Sequence, residues 1–130
     1  MPGQGTGSFT FAADLQGEIL VRRNRAEYPA TKDRRAYVHD DLMVVYQQPE
    51  DGRVRADYFD SEKHVIRYAV EASEDRNQIT FVSEAQAAAS RFRFTYVKLS
   101  ADRLKLKFEI APPGKPDQFS TYLEATARRK

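Results

Sequence analysis

Apolar and polar residues alternate with period two over most of the chain. Val54, Ala56 and Tyr58 interleave with Arg53, Arg55 and Asp57. Ile66, Tyr68 and Val70 interleave with Arg67, Ala69 and Glu71, and Phe92, Phe94 and Tyr96 with Arg91, Arg93 and Thr95. Leu104, Leu106, Phe108 and Ile110 interleave with Arg103, Lys105, Lys107 and Glu109. Successive side chains of a strand point to opposite faces, so each run reads as a strand with one covered face and one wet face. None fits the 3.6-residue period of a helix.

Turn-forming clusters separate the runs at short intervals: Pro49-Glu50-Asp51-Gly52, Asp60-Ser61-Glu62-Lys63, Ser73 to Asn77, Ser100-Ala101-Asp102 and Pro112 to Pro116. Links this short join antiparallel neighbours, because a parallel crossover needs a dozen residues or more. Strands are predicted near 8–13, 18–25, 36–47, 53–60, 64–72, 78–83, 90–98, 103–111 and 118–127. The expected fold is all-β: an antiparallel up-and-down (meander) barrel of about eight to ten strands, lipocalin-like, closed because closure removes both sheet edges. A β-sandwich is the alternative, but it asks for longer crossings between sheets. Ser83 to Ala89 is the one helix-like stretch, two turns at most, and is expected to be a lid or a loose loop. Residues 1–7, with Gly3, Gly5 and Gly7, are expected to be a flexible N-terminus, and 8–130 a single barrel domain.

The 130 residues suffice for one domain with a sizeable core. No cysteine is present, which excludes disulfides, thiolate metal ligands and a cysteine nucleophile. No apolar run approaches the roughly 20 residues of a membrane helix, and the start of the chain has no signal-type apolar stretch. A cytoplasmic location without membrane association is therefore expected. Net charge is only +2, with basic and acidic residues interspersed, a solvated surface rather than a polyanion footprint. On the 91–97 strand arginines and aromatics fall on opposite faces, which argues against a stacking platform for nucleic acid.

Several segments resemble a group of small bacterial proteins with a calycin-like (lipocalin-like) β-barrel. They are Gly17 to Arg23, His39 to Met43, Tyr58-Phe59-Asp60 with His64-Val65-Ile66, Arg91 to Tyr96, and Phe108 to Gly114. The resemblance runs from about Phe9 to the end and implies the fold. The group has no agreed activity, so it implies no chemistry for particular residues. Some distant calycins bind fatty acids and some bind haem through a histidine.

An eight-stranded barrel is just wide enough to be filled by side chains or to hold one small ligand. The strand faces expected inside also carry Tyr58, Asp60, His64, Tyr68 and Tyr96, while Tyr46 shares the face of Leu42 and Val44. Apolar walls with a few convergent polar groups describe a small-molecule site. Tyrosines at strand ends that keep the hydroxyl in water at the rim are the competing reading. Asp60 and His64 flank one tight turn with the same parity, so they are a candidate carboxylate–imidazole pair; the alternative is that Asp60 caps the turn and His64 only starts a strand. Arg23 shares parity with Ile19 and Val21. It is either a partner for an acidic ligand group at the mouth or part of a solvated strand face.

The expected function is binding of a small hydrophobic molecule, with or without an acidic group, through Arg23, Tyr46, Tyr58, His64, Tyr68, Phe94 and Tyr96. The alternative is an enzyme of cyclase, isomerase or hydrolase type, with His64, Asp60 and Tyr68 as catalytic candidates. No cofactor is expected. A metal would require His39, His64 and a carboxylate to meet, and none is expected. Neither a nucleic-acid nor a membrane partner is expected, and the chain is read as a monomer or homodimer.

Overall fold

The computed structural model describes residues 5–86 and 88–129. Nine strands account for most of them: β1 (Thr6–Asp14), β2 (Ile19–Tyr28), β3 (Tyr37–Gln47), β4 (Val54–Asp60), β5 (Val65–Ala72), β6 (Gln78–Ser83), β7 (Arg91–Ser100), β8 (Arg103–Ala111) and β9 (Ser120–Arg128). The all-β antiparallel meander read from the alternation is the observed one, and most of the strand ends fall within one or two residues of those expected. Residues up to Arg67 and residues from Tyr68 onward form two compact units.

In the first unit the strand order is β1-β2-β3-β4, each antiparallel to the next. β1 starts at Thr6, inside the segment expected to be flexible; residues 1–4 lie outside the described part. A single 3₁₀ turn, Leu15–Gly17, joins β1 to β2. The Asp14 side chain accepts the Leu15 amide at 2.7 Å. Leu15, Gln16 and Gly17 all have positive φ, which makes this a tight left-handed reversal. β3 departs from the simple pattern: Leu42, Met43, Val44 and Val45 put apolar groups on both faces, with Met43 buried and the others half-buried.

In the second unit the order is β5-β6-β7-β8-β9. One face carries a run of aromatic contacts: Tyr68 against Phe81 at 6.2 Å, Phe81 against Tyr96 at 6.0 Å, Phe94 against Tyr96 at 4.8 Å and Phe92 stacked on Phe108 at 5.8 Å. Edge-to-face and tilted pairs at these separations suit the ring quadrupoles. Tyr68, Phe81 and Tyr96 are buried and form the heart of this unit. On the other face Arg93 pairs with Glu109, and Phe119 lies under the Arg93 guanidinium at 4.1 Å. Arg91 ties the connection from 112 to 119 down, donating to the Pro116 carbonyl and to Asp117, both at 3.2 Å. A register shift between Phe108 and Glu109 leaves Tyr122 as the extra residue of β9, its ring 6.1 Å from Phe108.

The helix-like stretch after Ser83 is not a helix. The chain leaves β6 as an irregular connection with one turn, Ala89 N donating to Gln86 O at 3.3 Å; Ala87 is outside the described residues. Ser83 is held in the strand, its buried hydroxyl accepting the Phe92 amide at 2.8 Å. Few residues remain for a nucleus, and a short alanine run does not repay helix nucleation. No helix among the described residues is long and apolar enough to cross a membrane.

Candidate functional site

The register of the first unit sorts one sheet face into rungs. Ala26 lies opposite His39; Phe9, Asn24, Asp41 and Asp60 form the next rung; then Phe11, Arg22, Met43 and Tyr58; then Ala13, Leu20, Val45 and Ala56. Rungs on one face are two residues apart, about 7 Å. Polar groups therefore gather at one end of this face and apolar groups at the other.

The polar end is a continuous hydrogen-bonded chain. Arg22, only 6 % exposed, donates to Asp41 at 2.7 Å and stacks over the Phe9 ring at 5.1 Å. Asn24 donates to the second Asp41 oxygen at 2.9 Å. His39 Nε2 lies 3.2 Å from that oxygen and 3.2 Å from the Tyr58 hydroxyl, while its Nδ1 faces Glu62 at 3.1 Å. Tyr58 donates to Asp60 at 3.1 Å, and His64 Nδ1 meets the same Asp60 oxygen at 2.9 Å.

Asp60 is the hub. Its carboxylate is 3 % exposed, and its other oxygen accepts the backbone amides of Glu62 and His64, both at 2.9 Å. Burial by itself would raise its pKa. The hydrogen bonds from the His64 amide and ring, the Glu62 amide and the Tyr58 hydroxyl outweigh that and hold the carboxyl below its ordinary value. The turn that carries it is fixed from both sides. Ser61 N donates to the Asp40 carbonyl at 2.8 Å, the Ser61 hydroxyl accepts the Asp40 amide at 3.0 Å, and Lys63 turns the chain at φ 70°. The aspartate thus caps the turn and also pairs with the imidazole, while β5 begins at Val65, one residue after His64.

The other expected ligand residues fall elsewhere. Arg23 and Tyr46 lie on the opposite sheet face, with Ile19 and Val21. Arg23 is exposed, yet it lines a shallow depression of about 430 Å³ shared with Phe9, Asn24 and Asp41. The Tyr46 hydroxyl donates to Asp57 at 3.3 Å; burial and the Asp57 charge raise its pKa. Tyr68, Phe94 and Tyr96 sit in the aromatic cluster of the second unit. Sequence reasoning missed Arg22 and Asp41 as members of the site and considered His39 only as a metal ligand. No group of three or more His, Asp or Glu side chains among the described residues is arranged to hold a metal ion.

No family model, no curated protein and no solved structure matches this chain.

Proposed function

We propose that the chain binds a small amphipathic molecule across this face of residues 2–67, in the calycin-like, closed-barrel manner its sequence suggests. The observation that carries the reading is the two-ended face. At one end Leu20 and Val54 keep 37 % and 40 % of their surface exposed. At the other, Asn24, His39, Tyr58 and His64 present hydrogen-bonding groups held in place by Asp41 and Asp60. An apolar surface with a few oriented polar groups is the composition of small-molecule sites.

Native mass spectrometry of freshly purified protein tests the reading directly, since a retained apolar molecule appears as an added mass. Displacement of a fluorescent fatty-acid probe supplies the quantitative arm. Leu20→Asp is expected to weaken probe binding tenfold or more while the far-ultraviolet circular dichroism stays that of the parent. Comparing a carboxylic acid with its alcohol, in the parent and in Arg23→Gln, reports on Arg23, which lies on the opposite sheet face and meets this one only in the depression it shares with Asn24 and Asp41: a preference for the acid that Arg23→Gln abolishes supports a head group in that depression. No retained mass and no probe binding would dismiss the reading.

A further inference from the structure

We propose that Asp60 and His64 form a general-base dyad and that the chain hydrolyses small apolar carboxylic esters. The inference rests on the ligand reading above only for the apolar half of the substrate.

The argument begins with proton placement. The Asp60 carboxylate accepts four donors: two backbone amides on one oxygen, the Tyr58 hydroxyl and His64 Nδ1 on the other. An ionised carboxylate only accepts, so His64 donates from Nδ1–H. The neutral ring is then the tautomer whose lone pair is on Nε2. The described residues offer Nε2 no partner, and the imidazole is 60 % exposed beside a carboxylate that is 3 % exposed. A buried anion thus orients an accessible base and stabilises the imidazolium that proton uptake creates. The turn cannot easily drift, because Ser61 is bonded to Asp40 through both its amide and its hydroxyl.

The step balances with water alone. His64 Nε2 takes a proton from water as the water oxygen bonds to the ester carbonyl carbon. The tetrahedral intermediate collapses, the carbon–oxygen bond to the alcohol breaks, and Nε2–H returns its proton to the departing alkoxide. The products are one carboxylic acid and one alcohol. Asp60 touches no reacting atom and is a positioning residue. Tyr58, which shares its oxygen with His64, is another.

The test is hydrolysis of 4-nitrophenyl acetate and hexanoate from pH 5 to 9. Saturable turnover is expected. His64→Gln, at an exposed position, is expected to fold and to lower kcat about 100-fold or more. Asp60→Asn is expected to lower kcat with KM unchanged, and Tyr58→Phe to lower it less. ¹⁵N spectra are expected to show His64 as the Nδ1–H tautomer at neutral pH. Wild-type turnover in His64→Gln, turnover no faster than free imidazole at equal concentration, or an Nε2–H ring would overturn the proposal. The ligand reading is scored separately: wild-type kcat/KM for hexanoate should exceed that for acetate, and Leu20→Asp should lower that hexanoate-to-acetate ratio. If His64-dependent turnover ignores chain length, the dyad stands and the apolar binding face falls.

Discussion

Arg93 lays Nε and Nη2 against the two carboxylate oxygens of Glu109, 2.9 Å each, across the pairing of β7 with β8. The fork matches the carboxylate in both geometry and charge. The hydrogen bonds from Arg93 lower the Glu109 pKa, more than burial raises it, and the charges of Arg93 and Lys107 add to the lowering. A carboxyl held below its unfolded value of about 4.3 contributes stability above that pH and loses it as pH falls through the depressed value. Melting temperature followed by circular dichroism is therefore expected to drop on acidification below about pH 4, in part through this group. Glu109→Gln should flatten that acid limb and cost about 1–2 kcal/mol near neutrality, a modest figure because solvent screens the partly exposed Arg93.

The same pair alters the expectation for position 93. Its outward parity, taken alone, predicts that Arg93→Asp is tolerated. The structure places a carboxylate there against Glu109 and removes the cation over Phe119. Arg93→Asp is expected to destabilise by about 2–3 kcal/mol, from like-charge contact and lost packing. Phe94→Asp, among Tyr96 and Phe108, is expected to cost more still and to prevent cooperative unfolding at 37 °C. If urea titration ranks Arg93→Asp as neutral, the Glu109 contact carries no weight.

Arg22 and Asp41 are a buried ion pair, with side chains 8 % and 5 % exposed. Removing one partner of such a pair leaves a charge without compensation, typically 3–5 kcal/mol. Asp41 keeps Asn24 and His39, so Arg22→Met is expected at the low end, about 3 kcal/mol, by chemical denaturation. Exchanging both residues, Arg22→Met with Asp41→Leu, is expected to recover only part of the loss, because Asn24 and His39 then lose their acceptor.

Gly5 has no room for a side chain, since a Cβ there would sit 2.6 Å from the Tyr28 ring. Tyr28 is itself stacked on Tyr37 and cannot readily yield. Gly5→Ala is expected to speed amide exchange at the start of β1 while changing global stability by less than about 1 kcal/mol, as befits a strand end.

The strands were legible because alternation and turn chemistry agreed with each other in β4, β5, β7 and β8. Asp60 and His64 were legible because one turn holds both. The rest of the network was not, and β2 and β3 show why. Apolar residues lie on both faces there, Leu20 and Met43 on one and Val21 and Val44 on the other. Alternation does not choose a face in such a strand, so Arg23 drew attention while its neighbour Arg22 became the buried cation. The one available signal was a register: Asn24 of β2 faces Asp41 of β3, with an arginine two residues before Asn24 and a histidine two residues before Asp41. Pairing of that kind appears only once strands are aligned across a loop.

Tyr28 and Tyr37 stack at 4.6 Å with their planes 11° apart, and Arg34 lies 4.6 Å above the Tyr37 ring. The chain contains no tryptophan. Near-ultraviolet ellipticity must therefore come from tyrosine and phenylalanine, and this closely stacked tyrosine pair adds its own contribution to that of the packed rings of Tyr68 and Tyr96. The hairpin joining β2 to β3 thus carries a built-in optical label. Its signal tracks ordering of that one end of the molecule without any dye, and Tyr37→Leu would erase it while leaving the far-ultraviolet strand signature in place.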